Sequence, residues 1–208
     1  MMIKLFIINI LSCLSISLFA VDALDVDAFQ RQLSGKLVAV QTIQCDFTQI
    51  RELPALEMKL EFTGRLAYDA SASRLLWRVE TPLSSAFRMQ DGKLSQWDGE
   101  TGKIISISAT KFPWIKLLQE RLGQWLSGDL SALRKEAQIT VVSANCVRLS
   151  PSGGMLPVFT KAIEIEFSED LTHVVRIRIE EKSGGILTIH FRNVVLNQPI
   201  PEEVWILK

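Results

Sequence analysis

The chain has no excess charge of either sign. Lys+Arg and Asp+Glu stand at 23 each, so the formal net charge is zero. Nucleic-acid binding needs a basic field, and no dense Lys/Arg cluster supplies one locally. Nucleic acid is therefore not an expected partner. Histidine is almost missing: only His173 and His190 occur. No His-Glu-x-x-His metal motif, no phosphate-cradling glycine loop and no Gly-x-Ser-x-Gly nucleophile motif is found. Gly153-Gly154 and Gly184-Gly185 read as turns. Glu164 and Glu166 sit on one strand face, as an acid/base pair would. Their alternation with apolar residues and the nearby arginines read instead as solvated sheet charges. His190 points opposite to Ile189 and Phe191 and reads as a surface or rim residue. The sequence predicts no enzyme, no cofactor and no metal site.

Cysteine is also sparse, with three residues, and no metal-ligand spacing surrounds any of them. Cys13 falls in a leader-like segment. Residues 10–13, Ile-Leu-Ser-Cys, resemble a lipoprotein acylation signal, but the apolar run continues past Cys13, where a mature lipoprotein turns polar. That leaves Cys45 and Cys146 as a candidate disulfide. A bridge would close a loop of about 100 residues and contribute roughly 4–5 kcal/mol. Yet Cys45 alternates with Ile43 and Phe47, whereas Cys146 alternates with Arg148 and Ser150. Cysteines on opposite faces of a sheet cannot bond.

Long apolar runs are missing beyond the first twenty-odd residues. Lys4 precedes an apolar stretch over residues 5–21, ended by Asp22. This pattern predicts a secretory signal peptide over residues 1–23, cleaved after Ala23 or, as a second choice, after Ala20. An uncleaved anchor is the alternative, and the stretch is near the lower length limit for spanning. The remaining residues, 24–208, suit one exported, periplasmic domain. Apolar residues at 48% and charged residues at 22% are globular values that exclude disordered and collagen-like classes.

Periodicity then assigns elements. Val26, Phe29, Leu33 and Leu37 recur at helical spacing and predict a helix over residues 25–40. From Thr42 the period is two. Ile43, Cys45 and Phe47 share one face, as do Met58, Leu60, Phe62, Leu66 and Tyr68. Short runs come next at residues 75–79, 86–89, 94–97 and 104–107, separated by Asp-Gly, Thr-Pro and Thr-Gly turns. Pro113 then opens an amphipathic helix, with Trp114, Leu117, Leu118, Leu122, Trp125 and Leu126 on one stripe. A short second helix is expected over residues 129–136. Strands return at residues 163–167, 175–180 and 186–191, with a last one at 204–207. Placing Phe167 opposite Val175 sets Glu166 against Arg176 and Glu164 against Arg178, a favourable register. The fold class is mainly β with helices (α+β): one unclosed antiparallel half-barrel of about eleven strands, an N-terminal helix and an inserted helix. Such a sheet either encloses a hydrophobic cavity or is filled by its own bulky side chains.

The residues Phe47-Thr48-Gln49, Gly64 before Leu66, Trp77 five residues before Pro82, and Asp91-Gly92 succeed one another in an order that resembles the LolA family. These are periplasmic carriers of lipoproteins in Gram-negative bacteria. The likeness runs from about residue 25 to residue 207. It implies an unclosed barrel with a helical lid over a cavity that receives acyl chains. It also implies an acylated lipoprotein or lipid as cargo, an inner-membrane transporter that loads it and an outer-membrane acceptor. The carrier is taken as a monomer. The implied cavity and lid residues are Phe47, Phe62, Trp77, Val79, Phe87, Met89, Trp114, Leu117, Leu118, Leu122, Trp125, Ile165 and Ile177. The Arg-Pro pair by which that family links barrel to lid is missing here. Arg74 lies nearby and is the candidate lid contact. Divergent members resemble carriers of other lipid-export systems. An assembly or interaction module with a filled interior is the alternative outside transport.

Overall fold

The computed structural model describes residues 25–36, 40–90, 93–106, 133–154 and 156–208. The expected leader, Cys13 and the helix expected over residues 113–126 lie outside the described residues, as does most of the short helix expected at 129–136.

Helix α1 spans Val26–Lys36. Asp25 caps it: its carboxylate accepts the Asp27 backbone N–H at 2.9 Å, and its carbonyl accepts the first helical bond, from Phe29. An anionic cap and Asp27 suit the positive end of a helix, as Lys36 suits the other. The helix turns Phe29 and Leu33 into the core. The Phe29 ring lies 6.1 Å from that of Phe167.

Eleven strands come after it. They are β1 (Thr42–Leu53), β2 (Met58–Asp69), β3 (Arg74–Thr81), β4 (Ser85–Gln90), β5 (Lys93–Asp98), β6 (Ile104–Ser106), β7 (Ala137–Ser143), β8 (Cys146–Pro151), β9 (Thr160–Phe167), β10 (Val174–Glu181) and β11 (Ile186–Leu196). They form one sheet in the order β6-β5-β4-β3-β2-β1-β11-β10-β9-β8-β7, with every neighbouring pair antiparallel. Two meanders, one from each half of the chain, join through β1 and β11. The two outermost strands are β6 and β7, so the sheet is unclosed. This is the half-barrel class expected from the sequence.

Strand pairing sorts side chains onto two faces, because cross-strand partners share a side. The inner face runs through Cys45–Leu66–Trp77–Phe87 on one wing. On the other it runs through Phe47–Phe191 and through Gln49–Ile189–Ile177–Ile165–Val147. With Leu33, Leu149, Ile163, Phe167 and Leu187 these form the principal core. Each fully buried Ile, Leu or Phe contributes about 1.5–3 kcal/mol.

The opposite face carries charge. Phe167 stands opposite Val174, one residue from the expected Val175, because the β9–β10 ladder is irregular there. Arg176 meets Glu166 and Arg178 meets Glu164, as the alternation predicts. Arg176 binds Glu166 at 2.6 Å, whereas Glu164 is taken by Arg148 of β8, also at 2.6 Å. Arg178 turns instead to Glu180.

Two expectations fail. Residues 204–207 are not a strand. Glu202–Trp205 is a 3-10 turn, and the segment lies over the outer face of β2–β5, where Trp205 and Leu207 pack on Ala67, Leu76 and Ala86. Strands β7 and β8 bring the number to eleven, and β7 begins directly after residues 134–136, a turn where the periodicity assigns a helix.

Candidate functional site

The sheet's two wings differ in how far their inner faces are covered. On β8–β11, Val147, Leu149, Ile163, Ile165, Ile177 and Ile189 are almost completely buried, with α1 contributing Phe29 and Leu33 to the same core. On β2–β6 the inner face is divided: Leu66, Leu75, Trp77, Val79 and Leu94 are buried, whereas the residues around them are only partly covered. Leu60, Phe62, Phe87 and Met89 are half-buried, and Ile105, in register with Gln96, is 54% exposed. At the junction the rings of Phe47 and Trp77 lie 4.1 Å apart, and Phe191 meets Trp77 edge-on at 6.5 Å.

Gly64 makes that junction possible. A Cβ there would lie 1.8 Å from the Arg78 carbonyl oxygen and 2.9 Å from Cζ of Phe47. Only a residue without a side chain lets the Phe47 ring lie over β2.

The site residues expected from the sequence divide accordingly. Phe47, Trp77 and Val79 are buried at the junction, and Ile165 and Ile177 lie deep in the filled wing. Phe62, Phe87 and Met89 line the partly covered wing. Trp114, Leu117, Leu118, Leu122 and Trp125 lie outside the described residues.

Arg74 is the candidate lid contact, and the expected lid lies outside the described residues. Arg74 lies on the outer face, opposite in parity to Trp77. It donates to both oxygens of Glu202 at 2.9–3.1 Å and to Asp69 at 3.4 Å, and it stacks 4.5 Å over the Trp205 ring. Arg78 donates to the carbonyls of Ile206 and Lys208, and Arg88 to that of Trp205, continuing the clasp. The Ser71 hydroxyl, the Ala72 N–H and Arg74 together hold the Asp69 carboxyl below its ordinary range.

Cys45 and Cys146 are free, so the candidate disulfide is not formed. Their strands are separated by β11, β10 and β9, and register sets Cys45 on the inner face and Cys146 beside Glu166 on the outer. Burial, with Asp46 adding to it, pushes the Cys45 thiol up to about 12.

Sequence reasoning missed a polar group within the inner face. Gln49 is 8% exposed and faces Phe62 on one side and Ile189 on the other. One turn of the pleat further, Arg51 binds Glu181 at 2.8 and 3.0 Å. The signal was parity: residues 49 and 51 continue the face of 43, 45 and 47.

A separate polar cleft of about 310 Å³ lies around Gly64, lined by Asp46, Arg65, Glu80 and Asn193 among others. Among the described residues, no group of His, Cys, Asp and Glu could hold a metal ion. No helix there is long and apolar enough to cross a membrane.

No protein-family model matches the chain, and no curated protein sequence matches it. Solved structures do. The MucA/MucB complex of Pseudomonas aeruginosa is similar over 87% of this chain and 60% of that one, at 11% identity and a TM-score of 0.51. The LolA superfamily protein NE2245 of Nitrosomonas europaea is similar over 86% and 96%, at 11% identity and a TM-score of 0.46. The lipoprotein LppX of Mycobacterium tuberculosis is similar over 85% and 99%, at 13% identity and a TM-score of 0.48. The fold is an unclosed antiparallel half-barrel. At these identities the likeness is one of fold.

Proposed function

We propose that this half-barrel is a carrier that binds acyl chains against its inner face without a covalent step. The observation that carries this reading is the unequal wings. One wing spends its apolar face on the core, while the other keeps Phe62, Phe87, Met89 and Ile105 in a partly covered apolar surface. Alkyl chains gain about 0.8 kcal/mol per buried CH₂ on such a surface. The stripe from Trp114 to Trp125 is the proposed lid over it. The cargo is the acylated part of a lipoprotein or a related lipid. It is received from an inner-membrane transporter and released to an outer-membrane acceptor, with the carrier exported to the periplasm by residues 1–23.

A second reading is an envelope interaction module acting through its surface. It is favoured by the complete burial of Phe47, Trp77, Ile165 and Ile177, all on the inner face. Titration with a lipophilic fluorescent probe separates the two. A carrier gives saturable binding that fatty-acyl compounds displace, and a filled barrel gives none.

A further inference from the structure

Gln49 stands out on the inner face. Its Oε1 is fully buried and has no hydrogen-bond partner among the described residues. Its cross-strand neighbours on that face, Phe62 and Ile189, are apolar. The Arg51–Glu181 pair, the nearest polar group on β1's inner face, is engaged with itself. A buried acceptor without a partner is destabilising, whereas an apolar side chain of similar shape would be close to neutral or better. Nothing in the packing calls for a carboxamide there.

We infer that Gln49 is a recognition residue for the amide group of an N-acylated ligand. This rests on the carrier reading. A carboxamide offers one acceptor oxygen and an NH₂ donor side by side. The group that satisfies the buried Oε1 is a donor, and the N–H of an N-acyl amide supplies one. An ester has two acceptors and no donor, so it leaves Oε1 unsatisfied. A site built to hydrogen-bond a ligand N–H discriminates against the analogue lacking it, because its own buried polar group then stays unpaired. The position fits the role. Gln49 is two residues along β1 from Phe47 of the aromatic junction and directly opposite Phe62 of the partly covered wing. An alkyl chain lying on Phe62, Phe87 and Met89 therefore brings its linkage to Gln49. The ligand's head group, on the far side of that linkage, then meets the Arg51–Glu181 end of the face.

The test uses the full protein and two near-isosteric ligands, N-methyl hexadecanamide and methyl hexadecanoate, each displacing a lipophilic fluorescent probe. The amide is expected to bind roughly five- to tenfold more tightly, as one satisfied hydrogen bond dictates. In Gln49→Met that preference is expected to vanish, with a melting temperature equal to or above that of the unaltered protein. N-palmitoyl glycyl-serine and an N-palmitoyl amino alcohol then distinguish an acylated protein N-terminus from an N-acyl lipid, and preference for either over its ester supports the inference. Equal binding of amide and ester by the unaltered protein overturns it and leaves the carrier reading standing. So does an amide preference that survives in Gln49→Met. If neither compound displaces the probe, the carrier reading fails as well.

Discussion

Phe47 and Trp77 stack at 4.1 Å between ring centroids, on strands separated by β2, because Gly64 between them has no side chain. That contact joins the filled wing of the half-barrel to the partly covered one. Gly64→Ala sets a methyl group against backbone as well as a ring. It is expected to destabilise by about 2 kcal/mol or more, at the upper end of overpacking costs. Trp77→Ala is expected to cost about 3–5 kcal/mol. Urea unfolding checks both, and a tolerated Gly64→Ala would show that the junction yields.

The two wings should respond differently to substitution. Phe62→Asp and Phe87→Asp place charge on the partly covered apolar surface, where the folded chain can still hydrate it. Lipophilic-probe affinity is expected to fall ~tenfold or more, since burying a carboxylate under an alkyl chain is costly. Ile165→Val and Ile177→Val, in the filled wing, are expected to cost about 0.5–1.5 kcal/mol of stability and leave probe affinity alone. Folded Phe62→Asp and Phe87→Asp proteins with unchanged affinity would remove that wing from the site.

Arg74 organises the C-terminal clasp. Arg74→Ala loses the Trp205 stack and the contacts to Asp69 and Glu202, most of which are partly solvated. A loss of about 1–2 kcal/mol is expected, with lipid binding unchanged. Because the Asp69 carboxyl is held below its ordinary 3.8, its stabilisation is present above that pH and lost as pH falls through the lower folded value. Asp69→Asn should therefore narrow its gap to the unaltered protein as the medium is acidified below pH 4. A gap that stays constant would contradict this coupling.

The buried Cys45 thiol gives the opposite pH dependence. Its value is raised from 9.0 to about 12, so the stabilisation from a neutral buried thiol is complete below pH 9. It is lost as pH rises toward 12, by about 1.4 kcal/mol per pH unit in that window. The stability advantage over Cys45→Ala should shrink between pH 8 and 10.5. A thiol reagent at pH 8 should find Cys45 and Cys146 unreactive until the protein unfolds, with no difference between reduced and non-reduced samples. A mobility shift on reduction would show a bridge.

Much of the architecture is written in period-two alternation. Parity alone set Cys45 and Cys146 on opposite faces, and it matched Glu166 to Arg176 and Glu164 to Arg178. The same signal misled at the C-terminus. Val204-Trp205-Ile206-Leu207 alternates like a strand, yet Trp205 and Leu207 bury themselves against Leu76 and Ala86 without joining the sheet. Val204 and Trp205 close a 3-10 turn and Ile206 is extended, so two buried residues two apart arise without a paired strand. Strand β7 was missed because the charged residues 134–136 before it continue a helical-looking run. Arg74 lies three residues before Trp77, an odd step along the strand, and so reaches the other face. Gln49 lies on the inner face by parity although its residue type suits a solvent-facing position.

The central claim is that the inner face holds acyl chains. Its most direct test is mass spectrometry of organic extracts from the exported protein, purified without detergent. A stoichiometric acylated species in the extract is the result predicted here, and N-acyl linkage in that species is what Gln49 requires. Protein that yields no extractable lipid, and afterwards shows no saturable uptake of a lipophilic probe, would contradict the account and assign the half-barrel's role to its outer surface.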